Sequence, residues 1–154
     1  MERTCVLVKP DALQRSLLGE IMLRFERKGL KIVGCKMLRI ADHVLDAHYA
    51  HHVGKPFFAG LKRFMQSAPI VAMVVEGLDV VNTVRTIVGP TNGRVAPAGT
   101  IRGDLSMSQQ ANLVHASDSV DAAAQEVQRF FSAEELFTYE QGNSSWVYAD
   151  DERT

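Results

Sequence analysis

Asn112-Leu-Val-His-Ala-Ser-Asp-Ser119 joins two patterns that decide how the last part of the domain folds. Asn112–His115 has the character of a very short strand, and Ser117-Asp-Ser119 supplies the side chains that cap a helix. A helix over Val120–Phe131 is predicted to follow. Its apolar stripe is Val120, Ala123, Ala124, Val127 and Phe130.

His115 stands at the end of that strand. A single histidine is more often a packed or surface residue than a catalyst, so its neighbours decide the interpretation. Glu126 flanks the apolar stripe of the following helix and can therefore face back toward the strand end. The polar residues near His115 in sequence are Arg102, Asp104, Asn112, Ser117, Asp118 and Glu126.

Three further strands and several helices precede this stretch. Apolar, β-branched runs predict strands over Thr4–Lys9, Lys31–Ile40 and Ile70–Glu76. Helical periodicity predicts helices from Ser16 to Gly29, through His48 and Tyr49 with Asp42 as the cap, from Pro56 to Met65 and over Asp79–Val88. Four strands among these helices indicate an α+β sandwich with a mainly antiparallel sheet, although the order also permits a parallel sheet.

Composition sets limits on the class of protein. The 154 residues suffice for one domain over 1–154, and a net charge of −1 gives no bulk attraction to nucleic acid or membrane. The longest apolar run, Ile70–Val75, is too short to span a bilayer, and no signal peptide precedes Lys9. Cys5 and Cys35 make no disulfide framework and are expected to be buried free thiols. We therefore expect an intracellular, cytoplasmic protein.

Two common ligand-binding patterns are excluded. Gly29 and Gly34 have P-loop spacing, but Cys35 stands where that loop needs lysine, and no Gly-x-Gly occurs.

A cluster of histidines at positions 43, 48, 51 and 52 includes an i, i+4 pair. Because no cysteine or HExxH pattern accompanies this cluster, a solvated polar face is favoured over a zinc site.

A different set of residues suits phosphoryl transfer, which needs charge stabilisation and an in-line nucleophile. Lys9, Arg85 and Arg102 are cations at the ends of elements or in loops, and Thr91 and Asn112 are neutral donors. A histidine is a suitable nucleophile because its neutral form is available near pH 7. The carboxylate of Glu126 is placed to hold one ring N–H of His115, which leaves the lone pair of the other nitrogen for attack on phosphorus.

Four segments resemble the nucleoside diphosphate kinase family, in order and at compatible spacing from Arg3 to Tyr148. They are Lys9-Pro-Asp11, the pair of Tyr49 with Pro56-Phe-Phe58, Gly99-Thr-Ile-Arg-Gly-Asp104, and Asn112–Ser119. The resemblance implies a ferredoxin-like βαββαβ sandwich whose four-stranded antiparallel sheet is covered by helices. It also implies a ping-pong transfer of the γ-phosphate from a nucleoside triphosphate to His115 and then to a nucleoside diphosphate, with broad base tolerance.

The resemblance assigns a role to each site residue. Ser117 and Glu126 position His115, and Phe57 and Leu61 hold the base. Mg²⁺ bridges the nucleotide phosphates, and Asp118 reaches it through water. The residues that contact phosphate or sugar are Lys9, Tyr49, Arg85, Thr91, Arg102 and Asn112.

Assembly is also implied by the resemblance. A homo-oligomer is expected, with a hexamer favoured over a tetramer or dimer, and residues 132–154 form an extension that docks on the body or on a neighbouring subunit. Ala116 stands where the family usually has glycine, as does Ala12. Pro90 and Gly93 depart from the family pattern in a loop that joins subunits.

Two other classes compete with the enzyme. A ferredoxin-like nucleotide-sensing module would bind nucleotides without turnover, but it gives no reason for His115 and Glu126 to accompany the cations. A sequence-nonspecific nucleic-acid binder is disfavoured by the net charge of −1.

Overall fold

The computed structural model describes residues 1–152, which form one sheet and eight α-helices. The strands are β1 (Glu2–Val8), β2 (Lys31–Leu38), β3 (Ile70–Gly77) and β4 (Val114–Ala116). The helices are α1 (Pro10–Gln14), α2 (Leu18–Arg27), α3 (Asp42–His48), α4 (Phe58–Gln66), α5 (Val80–Val88), α6 (Ile101–Leu105), α7 (Val120–Phe130) and α8 (Ser144–Val147). Within this described part of the chain, no helix has the length and apolar character needed to cross a membrane.

The sheet has the order β2-β3-β1-β4, and every neighbouring pair is antiparallel. This confirms the ferredoxin-like sandwich and excludes the parallel alternative. β1 therefore lies next to β4, which brings Lys9, at the end of the first strand, close to the segment that carries His115.

β3 is buried on both faces of the sheet. Val71, Met73 and Val75 join one apolar cluster with residues of α2 and α5. Ala72 and Val74 join a second cluster with residues of α3, α4 and α7. The alternation is the two-residue period of a strand, and burial on both faces explains why the sequence there is a continuous apolar run.

β4 begins later than predicted, at Val114 rather than Asn112. Leu113 has a φ of +71°, which is incompatible with strand backbone. The Val114 N–H donates to the Asn112 carbonyl at 2.8 Å, so the chain makes a γ-turn around Leu113. His115 consequently lies in the middle of β4, opposite Leu7 of β1.

Four smaller expectations were wrong. Cys35 is exposed because β2 is an edge strand, and Val120 is exposed because it is the first residue of α7. Asp42 is the first residue of α3 rather than its cap, and α4 begins two residues after Pro56. None of these differences changes which faces of the helices meet the sheet.

The C-terminal extension contacts β2. The Phe137 N–H donates to the Val33 carbonyl at 2.8 Å, and the Tyr139 hydroxyl donates to the Ile32 carbonyl at 2.8 Å. The Trp146 side chain, by contrast, is 91% exposed. Docking of the extension on a neighbouring subunit stays a prediction.

Candidate active site

A cleft of about 870 Å³ collects the predicted site residues. Its walls come from the end of β1, from α3 and α4, from α5 with the loop that follows it, and from β4. All predicted site residues line it except Ser117, which is buried beneath it. Those that line it are Lys9, Tyr49, Phe57, Leu61, Arg85, Thr91, Arg102, Asn112, His115, Asp118 and Glu126.

His115 is held by a carboxylate on one side of its ring. Its Nε2 lies 2.9 Å from Glu126 Oε2, and the Ser117 hydroxyl donates to the same oxygen at 2.7 Å. Because an ionised carboxylate only accepts hydrogen bonds, Nε2 carries the ring proton and Nδ1 keeps its lone pair. Ser117 therefore positions the histidine through Glu126.

Glu126 remains ionised although it is largely buried. Burial opposes ionisation, but the hydrogen bonds and charge of His115 and the hydroxyl of Ser117 outweigh it, so the pKa of this carboxyl is lowered. Glu126 is thus a fixed negative charge against the imidazole. Such a charge balances the positive charge that the ring acquires when Nδ1 forms a new bond.

Lys9 and Asn112 form a buried pair next to β4. Lys9 Nζ donates to Asn112 Oδ1 at 2.6 Å, and burial together with the charge of Arg102 lowers the pKa of Lys9 to about 8. Asn112 Nδ2 donates to the carbonyls of Thr91 and Gln109, each at 2.9 Å. Asn112 therefore ties the loop that carries Thr91 to the strand end that carries Lys9.

Arg102 has a second role that its sequence position did not reveal. Its guanidinium donates to the carbonyls of Gly89 at 2.8 Å, Asn112 at 3.1 Å and Val114 at 2.5 Å. Burial and the nearby charge of Arg85 lower the pKa of Arg102 to about 10. Three of its five N–H groups therefore tether the backbone around the cleft, and two remain for a ligand.

Asp11 holds the strained turn before β4, and sequence reasoning gave it no role. Its Oδ2 accepts the Leu113 N–H at 3.0 Å, while the Leu113 carbonyl accepts the Lys9 N–H at 2.8 Å. A non-glycine residue at a positive φ costs of order 1–3 kcal/mol, and it persists only where its surroundings fix it. The signal was the aspartate of Lys9-Pro-Asp11, which the resemblance included without a function.

The opposite end of the cleft is aromatic. Phe57 is 44% exposed, and Leu61 is half-buried beside it. Tyr49 is buried, and that burial raises the pKa of its hydroxyl. An exposed ring next to an aliphatic side chain offers one face to a flat ligand.

Arg85, Thr91 and Asp118 are exposed at the rim of the cleft. Arg85 extends from α5, Thr91 lies in the loop after it, and Asp118 lies between β4 and α7. Their side chains are accessible to a bound polyanion and its counter-ion.

His48 contradicts the prediction that all four clustered histidines form a solvated face. Its side chain is buried, and its ring centroid lies 4.4 Å from that of His115. Burial, and then the charge of His115, lower the pKa of His48 to about 3, so it is neutral at physiological pH. The sequence placed His48 far from His115, and only the packing of α3 against α7 brings them together.

Fold and site together define an α+β phosphotransferase with a carboxylate-bound histidine between a phosphate-binding end and an aromatic end. The sequence model of the family described as "Nucleoside diphosphate kinase" matches residues 2–136. The chain belongs to the nucleoside diphosphate kinase family, and it is accordingly a kinase.

Relatives with about 50% sequence identity align with nearly the whole chain. The nucleoside diphosphate kinase of Parabacteroides distasonis is 51% identical over 152 residues, covering 99% of each chain. That of Archaeoglobus fulgidus is 51% identical over 150 residues, covering 97% of this chain and 99% of its own.

A solved structure agrees with the fold. The nucleoside diphosphate kinase of Halobacterium salinarum in complex with CDP superposes with a TM-score of 0.93 at 47% identity, covering 96% of this chain and 98% of its own.

Proposed function

We propose that the enzyme transfers the γ-phosphate of a nucleoside triphosphate to His115 and from there to a nucleoside diphosphate. The observation that carries this proposal is the bond of His115 Nε2 to Glu126, which leaves Nδ1 with a lone pair. Nδ1 attacks the γ-phosphorus, and the bond from phosphorus to the β–γ bridging oxygen breaks. The diphosphate leaves with that electron pair, and a second diphosphate reverses the step.

The remaining residues act on the two ends of the nucleotide. Lys9 and Arg102 stabilise negative charge on the phosphates, while Arg85, Thr91 and Asn112 contact phosphate or sugar, and Tyr49 contacts the same region. Phe57 stacks on the base and Leu61 lines its other side. Stacking on a ring reads no base edge, which favours broad base tolerance.

Mg²⁺ fits the cleft as part of the nucleotide. This cation prefers oxygen ligands, keeps several waters, and binds proteins through one or two carboxylates plus substrate phosphates. Asp118, exposed at the rim, is the carboxylate that would reach it through water. When bound, the ion neutralises charge on the β- and γ-phosphates.

We also propose a homo-oligomer, with a hexamer favoured over a tetramer or dimer. Large apolar side chains at the surface support this assembly: Val95 and Met107 are 70% and 80% exposed, and β2 is an edge strand. Light scattering should give a mass near six times 17.0 kDa. A cytoplasmic location and the lack of nucleic-acid binding stay predictions.

A two-nucleotide exchange assay tests the activity. The wild type should convert GDP to GTP at the expense of ATP, and His115→Ala should abolish this exchange. His43→Ala is the matched control, because His43 is exposed and outside the cleft. Nucleotide binding without exchange by the wild type would favour the nucleotide-sensing module instead.

A further inference from the structure

His48, His115 and Glu126 form a compact group of metal-ligating side chains. Each offers one donor atom, and these atoms lie within 4.8 Å of one another. His48 Nδ1 is 3.8 Å from Glu126 Oε1, and His115 Nε2 is 2.9 Å from Glu126 Oε2. Two imidazoles and one carboxylate are a donor set that binds Zn²⁺ with a fourth position open.

The spacing suits zinc. With zinc–ligand bonds of about 2.0–2.1 Å, tetrahedral donors lie roughly 3.4 Å apart. The 3.8 Å from His48 Nδ1 to Glu126 Oε1 and the 2.9 Å from His115 Nε2 to Glu126 Oε2 lie on either side of that value. Mg²⁺ disfavours such a nitrogen-rich set, which keeps this group distinct from the nucleotide-borne cation.

We propose that His48, His115 and Glu126 bind one Zn²⁺ ion in the nucleotide-free enzyme and that this ion blocks phosphorylation of His115. The blocking half rests on the proposed function. A zinc–nitrogen bond at His115 Nε2 uses the electron pair that otherwise holds the ring proton. The neutral ring then carries its proton on Nδ1, taken from solvent, and Nδ1 has no lone pair for phosphorus.

Arg129 opposes this ion. Its guanidinium lies 3.3 Å from His48 Nδ1, at the edge of the donor group. The positive charge of Arg129 repels Zn²⁺ and so lowers the affinity of the site for this ion. Removing the charge in Arg129→Gln should therefore tighten zinc binding at least threefold, a gain that general unfolding cannot imitate.

Binding is tested on the full chain without nucleotide, by titrating Zn²⁺ in competition with a chromophoric chelator. We expect one ion per chain, with at least tenfold weaker binding in His48→Gln and in His115→Gln. His43→Gln is the control and should bind like the wild type. Circular dichroism shows whether each variant is folded. Absence of stoichiometric binding, or equal affinities in His48→Gln and His43→Gln, would overturn the site.

Inhibition is tested separately with γ-labelled ATP and Mg²⁺, with and without one equivalent of Zn²⁺. The wild type should lose most of its label when zinc is present, and His48→Gln should lose little. Full labelling of zinc-loaded wild type would overturn the blocking role. Absence of label in both conditions would refute the proposed function, whereas the titration would still report the metal site.

Discussion

Replacing Arg102 with lysine separates its tethering role from its charge. Lysine keeps the positive charge but cannot span three carbonyls, so the bonds to at least two of Gly89, Asn112 and Val114 are lost. A hydrogen bond from a charged donor contributes about 1.5–3 kcal/mol, and partial access of water to the cleft places each loss near the lower end. We expect Arg102→Lys to lower the free energy of unfolding by about 3–4 kcal/mol.

Arg85→Lys is the matched control. It is the same arginine-to-lysine substitution, made at an exposed position of α5. An exposed substitution of this kind shifts stability by less than about 0.5 kcal/mol. Urea unfolding at one fixed protomer concentration measures both variants, since assembly makes stability depend on concentration. If the two variants unfold at the same urea concentration, the backbone bonds of Arg102 do not stabilise the cleft.

Three further predictions concern the base-stacking ring of Phe57, the buried ring of His48, and Ala116 next to His115 in β4. Phe57→Ala should raise the KM for nucleotides about 5- to 150-fold and change kcat less, because stacking contributes roughly 1–3 kcal/mol per base. A fall in kcat with an unchanged KM, measured by steady-state kinetics, would contradict stacking. The pKa of His48 is about 3 in the folded chain, compared with its ordinary value of 6.5. Between pH 3 and 6.5 the unfolded chain therefore binds one proton on this ring that the folded chain does not bind. Stability should therefore fall with decreasing pH below 6.5, by up to about 1.4 kcal/mol per unit, and His48→Gln should flatten that slope in acid-unfolding curves. Ala116→Gly should lower the free energy of unfolding by about 0.5–1 kcal/mol, because Ala116 lies in extended strand backbone where glycine is entropically unfavourable. Turnover should change by less than about twofold. A large rise in turnover would show that the methyl group of Ala116 crowds the phosphate.

Local patterns in the sequence predicted most of the fold. The apolar run of β3 and the periodicity of α2 and α5 identify those elements directly. Ser119 caps α7 as predicted, since its hydroxyl accepts the Ala122 N–H at 3.1 Å. Sheet direction could not be derived from periodicity, because helices between strands permit either direction, and it came from the family resemblance.

The parts of the site that the sequence did not predict depend on contacts between distant residues. Asp11 holds Leu113 across 102 positions, and that bond determines where β4 starts. His48 belongs to a histidine-rich segment whose composition indicates exposure, yet the packing of α3 buries its ring against His115. No local pattern encodes either contact.

In the proposed mechanism, Nδ1 of His115 carries the phosphoryl group while Nε2 stays bound to Glu126. The most direct measurement is to phosphorylate the enzyme with γ-labelled ATP, hydrolyse it in alkali and separate the two phosphohistidine isomers by chromatography. We expect acid-labile label on His115 as the Nδ1 isomer, with no label in His115→Ala. Label on Nε2, on a serine, or persisting in His115→Ala would contradict it.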